Sequence, residues 1–163
     1  VEQLQDSQEI ALANGSDFFN YVFYMNGSRP PFDLVEVRQA IAKAIDTRSL
    51  VDIVFLGEGV ELPLSWYHPD LPWAANIPHQ YDPDGAMKLL DMARLVDSDG
   101  DGIREFEGQP TSYEVLCDVN NPVEIRSTEL IIGWLEDVGI GASQNCLDID
   151  TCRHRCQPKL SGH

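Results

Sequence analysis

Residues 23–59 read FYMNGSRPPFDLVEVRQAIAKAIDTRSLVDIVFLGEG, and their punctuation decides the fold. Aromatic and β-branched residues from Phe18 to Asn26 put apolar side chains on both faces, the pattern of a buried strand, which Gly27, Pro30 and Pro31 bring to an end. Leu34, Val37, Ile41, Ala44 and Ile45 then fall on one helical face, and Asp33 with Glu36 three residues later forms a variant capping box. Asp46 closes that helix and caps a second one through Leu50, Val51, Ile53 and Val54, which ends at the glycines of Gly57-Glu58-Gly59. One strand followed by two helices is the expected opening.

Further along, Pro63, Pro69, Pro72 and Pro78 stand among Trp66, Tyr67 and Trp73, so residues 62–81 are expected as an extended, packed loop. Its aromatic residues either fill space beneath that loop or form a recognition wall, and the first reading is favoured because proline fixes the segment. Asp82 before Pro83 is an N-cap followed by a favoured first helical residue, with Ala86, Leu89, Leu90 and Ala93 on the buried face. After an acidic loop, Thr111–Cys117 alternates as a strand, Val123–Val138 reads as a long helix closed by Gly139, and Ile140–Ile149 returns as a strand. Strand, helix, strand in that order predicts a parallel crossover in an α/β sheet. From Thr151 the composition changes to TCRHRCQPKLSGH. Residues 1–150 are therefore expected as the domain, and 151–163 as an atypical tail without regular structure.

The chain has 163 residues, enough for one domain with a real core, and a formal net charge of −16 with only Lys43, Lys88 and Lys159 as lysines. Phosphate binding needs a basic footprint, so nucleic acid and anionic membrane surfaces are excluded as partners. An acidic surface of this kind fits high salt or an extracellular setting equally well. No apolar run approaches the roughly 18–20 residues a bilayer span requires, and the first residues lack the pattern of a signal peptide, so the chain is expected to be soluble. Cys117 and Cys146 lie on expected strands as core residues or a cross-strand pair. Cys152, His154 and Cys156 are too sparse for a zinc site.

Three segments together resemble the peptide- and nickel-binding family of extracellular solute-binding proteins that serve ABC importers. They are the opening block, YDPDGAMKLLDMARLVDSDGDGIREFEGQPTSYEVLC (81–117) and ELIIGWLEDVGI (129–140). The most specific part is Asn26, Pro30, Pro31, Phe32, Arg38, Gln39, Ala40, Ile41, Ala44, Ile45 and Asp46. The resemblance implies a periplasmic-binding-protein-like type II fold, here a fragment of the C-terminal lobe with a mixed sheet and packing helices. It further implies a peptide or other small solute, permease subunits as partners, no catalysis, and an extracellular or periplasmic place, membrane-associated in a full-length receptor. Exposed sheet edges make a homodimer an additional expectation. An autonomous calcium-stabilised extracellular interaction module is the alternative.

Two sets of residues carry chemistry. Ligands of α/β sheets bind at the carboxyl ends of strands, and the family resemblance places the same turn near the cleft. Cys117, Asp118, Asn120, Asn121 and Glu124 are thus the expected solute contacts, with Asp118 either meeting a cationic group or capping the next helix. The acidic loop VDSDGDGIREFEG (96–108) starts like an EF-hand, with Asp97, Asp99, Asp101 and the Ile103 carbonyl as oxygen ligands and Glu105 able to close a smaller calcium site. It departs where Arg104 replaces an apolar residue and Gly108 replaces the closing glutamate. The competing reading is a solvated turn. No histidine stands in a catalytic constellation, and His68 and His79 read as surface or loop-packing residues.

Overall fold

The computed structural model describes residues 20–62, 67, 71–73, 75 and 77–156. In chain order it contains α1 (Val35–Ala44), α2 (Thr47–Val54), α3 (Pro83–Met92), β1 (Glu105–Phe106), β2 (Gln109–Pro110), β3 (Tyr113–Asp118), α4 (Pro122–Asp137), β4 (Ala142–Leu147) and α5 (Ile149–Cys156). Phe18, Phe19, Trp66, His68 and His163 lie outside the described residues.

The stripe expected of the opening helix is buried as predicted. Val37, Ala40, Ile41 and Ala44 of α1 meet Ala86 and Leu90 of α3, and Leu95, Ile131, Leu135, Val138 and Ile140 complete the core. Each fully buried Leu, Ile or Val side chain contributes about 1.5–3 kcal/mol, so this one cluster is the chief stabiliser of the fold. Asp46 caps α2 by accepting from the Ser49 N–H at 3.0 Å, and Asp82 caps α3 by accepting from the Gly85 N–H at 2.9 Å. At the end of α2 the chain turns through Gly57 at φ +78°, whose N–H reaches back to the Val51 carbonyl.

The start of α1 departs from expectation. Leu34 is extended and the helix begins at Val35, so Asp33 sits one residue too early to cap it, and no side chain does. Arg38 instead pins the chain entering the helix, donating through Nη1 to the carbonyls of Phe32 (2.7 Å) and Asp33 (2.9 Å). The expected strand before it is also corrected: the chain over 20–26 lies outside any strand of the described residues. A strand that is apolar on both faces needs neighbours to cover it; here Phe23 and Met25 pack against the core instead.

The predicted crossover is present. β3 and β4 pair in parallel, Cys117 opposite Cys146 and Asp118 opposite Leu147, with α4 connecting them and packing on both. A disulfide joins Cys117 to Cys146, which settles the two readings of those cysteines. The expected mixture of parallel and antiparallel pairing is divided between this pair and the separate β1–β2 hairpin. The tail is corrected in part: Ile149–Cys156 is helical, begun by Asp148, whose carboxylate accepts from the Thr151 N–H at 3.0 Å.

His79 fastens the proline-rich loop. Its side chain is only 7% exposed, with Nε2 2.7 Å from the Ala42 carbonyl and Nδ1 3.0 Å from Thr47 Oγ1, which itself contacts Glu61. The loop-packing reading of His79 therefore stands, and the surface one does not. Tyr67 and Trp73 are exposed, against the expectation that they fill space beneath the loop.

Candidate functional site at the strand ends

The carboxyl ends of β3 and β4 meet the start of α4, and the Val119 N–H donates to the Leu147 carbonyl at 2.8 Å, extending the pairing by one residue. The turn that follows is built by its own side chains. Asn121 is the N-cap of α4, its Oδ1 accepting from the N–H groups of Val123 and Glu124. Glu124 reaches back: Oε2 accepts from the Asp118 N–H at 2.8 Å and Oε1 accepts from the Asn121 side-chain amide at 3.0 Å. The result is a variant of the capping box, in which Glu124 reaches the Asn121 side chain while the Asn121 N–H donates to the Asp118 carbonyl. Asp118 does not cap the helix; its Oδ1 accepts from the Asn120 N–H at 2.9 Å, closing a local turn.

These bonds divide the five expected contacts into two groups. Asn121 and Glu124 are half-buried and spent on the turn, so they position rather than face outward. Asn120 is exposed and Asp118 half-buried at the rim. Cys117 is removed from the set, because it is 2% exposed and its sulfur is bonded to Cys146. Asp148 adds a carboxylate at the end of β4 that sequence reasoning passed over. Hydrogen bonds from the Thr151 hydroxyl and then its N–H hold Asp148 below the usual aspartate value, so it is charged at neutral pH. With Asp118, Glu124 and Asp148 together, the strand ends favour a cationic group over an anionic one.

The acidic loop is ordered by five bonds from its own N–H groups to its own carboxylates. Asp97 accepts from Gly100 and Gly102, Asp99 from Asp101, and Asp101 from Ile103. Glu105 accepts from Ser98 at 2.8 Å. Asp97, Asp99 and Glu105 each place one oxygen within 4.8 Å of the others, whereas Asp101 is not in that group. The geometry thus brings together three of the four carboxylates expected to hold a cation.

A model of the bacterial extracellular solute-binding proteins, family 5, matches residues 1–154. The chain belongs to this family. Among curated relatives, it is 31% identical over 113 residues to the oligopeptide-binding protein AppA of Bacillus subtilis (strain 168), covering 64% of this chain and 20% of that protein. To the nickel-binding periplasmic protein of Escherichia coli (strain K12) it is 29% identical over 122 residues, 73% of this chain and 23% of the other. The structure of AppA from Bacillus subtilis in complex with a nonapeptide superimposes with a TM-score of 0.71 at 26% identity, over 82% of this chain and 27% of that one. The chain therefore spans about a fifth to a quarter of the length of these relatives, and the α/β fold is that of the family 5 proteins.

The family 5 match extends to residue 154, inside α5. What sequence reasoning missed in this family 5 chain is the role of Arg104. The residue that spoiled the EF-hand ruler donates through Nε to the Val138 carbonyl (2.9 Å) and through Nη1 to the Leu95 carbonyl (2.6 Å) and Asp91 (2.5 Å). It serves carbonyls left open after both α3 and α4, and a long cation between two helix ends is the signal that could have revealed it.

Proposed function

We propose that this chain supplies one wall of the solute cleft in a family 5 receptor for an ABC importer. The observation that carries this reading is the turn at the carboxyl ends of β3 and β4, held by the Asn121–Glu124 box so that Asp118 and Asn120 stand at its rim. The solute class is a peptide or peptide-like compound, and Asp118 receives its amine or another cationic group. The role is binding and delivery to membrane permease subunits, without catalysis, outside the cytoplasmic membrane. The relatives' names, oligopeptide-binding and nickel-binding, support a small solute.

The test is an amide-shift titration of the chain with trilysine and with acetylated triglutamate. Shifts confined to residues 118–121 and 148, produced by trilysine and lost in Asp118→Asn, are expected. Equal responses to both peptides, or none at the turn, would overturn the assignment.

We further propose that Asp97, Asp99 and Glu105 hold a structural calcium ion, with affinity of the order of 10⁻⁴–10⁻³ M as in extracellular modules. Their convergence within 4.8 Å supports this.

A further inference from the structure

A shallow groove of about 710 Å³ lies between the start of α1, the end of α3 and the β1–β2 hairpin. Leu34, Met92, Val96 and Phe106 give it an apolar floor, and Met92 is 72% and Val96 50% exposed. Glu36, Glu105 and Glu107 stand around that floor with Arg94. Glu105 also belongs to the acidic loop, so the charge argument rests on Glu36 and Glu107.

The hairpin turn makes Glu107 informative. Phe106 pairs with Gln109, leaving Glu107 and Gly108 as a two-residue turn at φ +52° and +76°. Such turns prefer Asn, Asp or Gly at the first position, because a Cβ is strained at positive φ and a short polar side chain offsets this by bonding the local backbone. Glutamate is a poor choice for the turn itself, so its carboxylate is the property to explain. Arg94, at φ +61°, is a second non-glycine residue in the same backbone region on the same groove.

We propose that this groove docks a short cationic amphipathic segment of another protein. Its apolar side chains would lie on Leu34, Met92, Val96 and Phe106, and its Lys or Arg side chains would meet Glu36 and Glu107. Charge decides between this occupant and a second copy of the chain: two molecules of net charge −16 repel, whereas a basic segment is attracted. The inference is independent of the solute at the strand ends, which lie on other elements.

The test uses the whole chain, ¹⁵N-labelled and in chelator. It is titrated with a synthetic Leu–Lys peptide of about 14 residues whose leucines share one helical face, and with a scrambled peptide of equal composition. The expected result is saturable shifts at residues 34–36, 92–96 and 105–108, with the amphipathic peptide bound about five-fold or more tightly than the scramble. Glu107→Asn should raise the melting temperature, since asparagine suits the turn, while weakening the peptide about three-fold. A Met92→Lys variant at the exposed floor should weaken it further. Equal binding of the two peptides, unchanged affinity in Glu107→Asn, or no shifts at the groove would overturn the proposal. So would sedimentation showing that the chain self-associates through these same residues.

Discussion

The backbone N–H of Arg104 donates to the Gly139 carbonyl at 2.7 Å, and its side chain then lies so close that a Cβ on Gly139 would stand 2.9 Å from Arg104 Cγ. Gly139 is at φ +87°, the left-handed turn that follows α4. One residue is thus required twice, by backbone angle and by the arginine crossing it. Gly139→Ala should cost about 1–3 kcal/mol, read as a lower urea midpoint. A midpoint equal to that of the unsubstituted chain would show that Arg104 can move aside and that the turn tolerates a side chain.

The disulfide closes a sequence separation of 29 residues. In the chain-entropy account a loop of that size is stabilised by about 3–4 kcal/mol at 25 °C. Denaturation of the oxidised chain and of the Cys117→Ser, Cys146→Ser double variant should differ by that order. Coincident curves would mean that the packing of α4 on the strands alone holds the crossover.

At the start of α3, Asp82 is held below its ordinary value of 3.8, first by the Lys43 hydrogen bond and then by the Gly85 N–H. Because the folded value is the lower one, its contribution is present above pH 3.8 and is lost as the pH falls through the folded value. The stability difference between the native chain and Asp82→Asn, which keeps a competent cap, should be steady near neutrality and shrink below pH 3.8. A difference that persists undiminished in acid would place the effect in the cap and not in the charge.

Calcium at millimolar concentration should raise the melting temperature by ligand linkage. Asp99→Asn should abolish that rise, while Asp101→Asn, whose carboxylate lies outside the converging three, should retain it. No calcium-dependent rise in the native chain would leave the loop as a turn ordered by its own backbone N–H groups.

The order of helices and the parallel crossover were legible because both are local signals: the stripe from Val37 to Ala44, the Asp82-Pro83 start, the Gly139 stop. The strand expected over Phe18–Asn26 was not realised among the described residues, since pairing depends on neighbours a sequence window does not contain. Arg104 was misjudged for a similar reason. Its partner Val138 lies 34 residues away and joins the Leu95 carbonyl around the guanidinium only in the folded chain. At the strand ends, Asn121 and Glu124 were expected as solute contacts from the strand-end rule and the family resemblance, but which of their atoms the turn itself uses depended on hydrogen bonds that only the folded turn displays. Cys117 shows the same limit, because pairing with Cys146 follows from strand register.

The bond between Cys117 and Cys146 closes a covalent ring that runs from the end of β3 through α4 into β4. A protease cutting the backbone once, anywhere from Asp118 to Asn145, produces two pieces that do not separate. The strand-end turn lies inside that ring, so a nicked molecule keeps Asp118 and Asn121 tethered beside their partner strand until a reductant opens it.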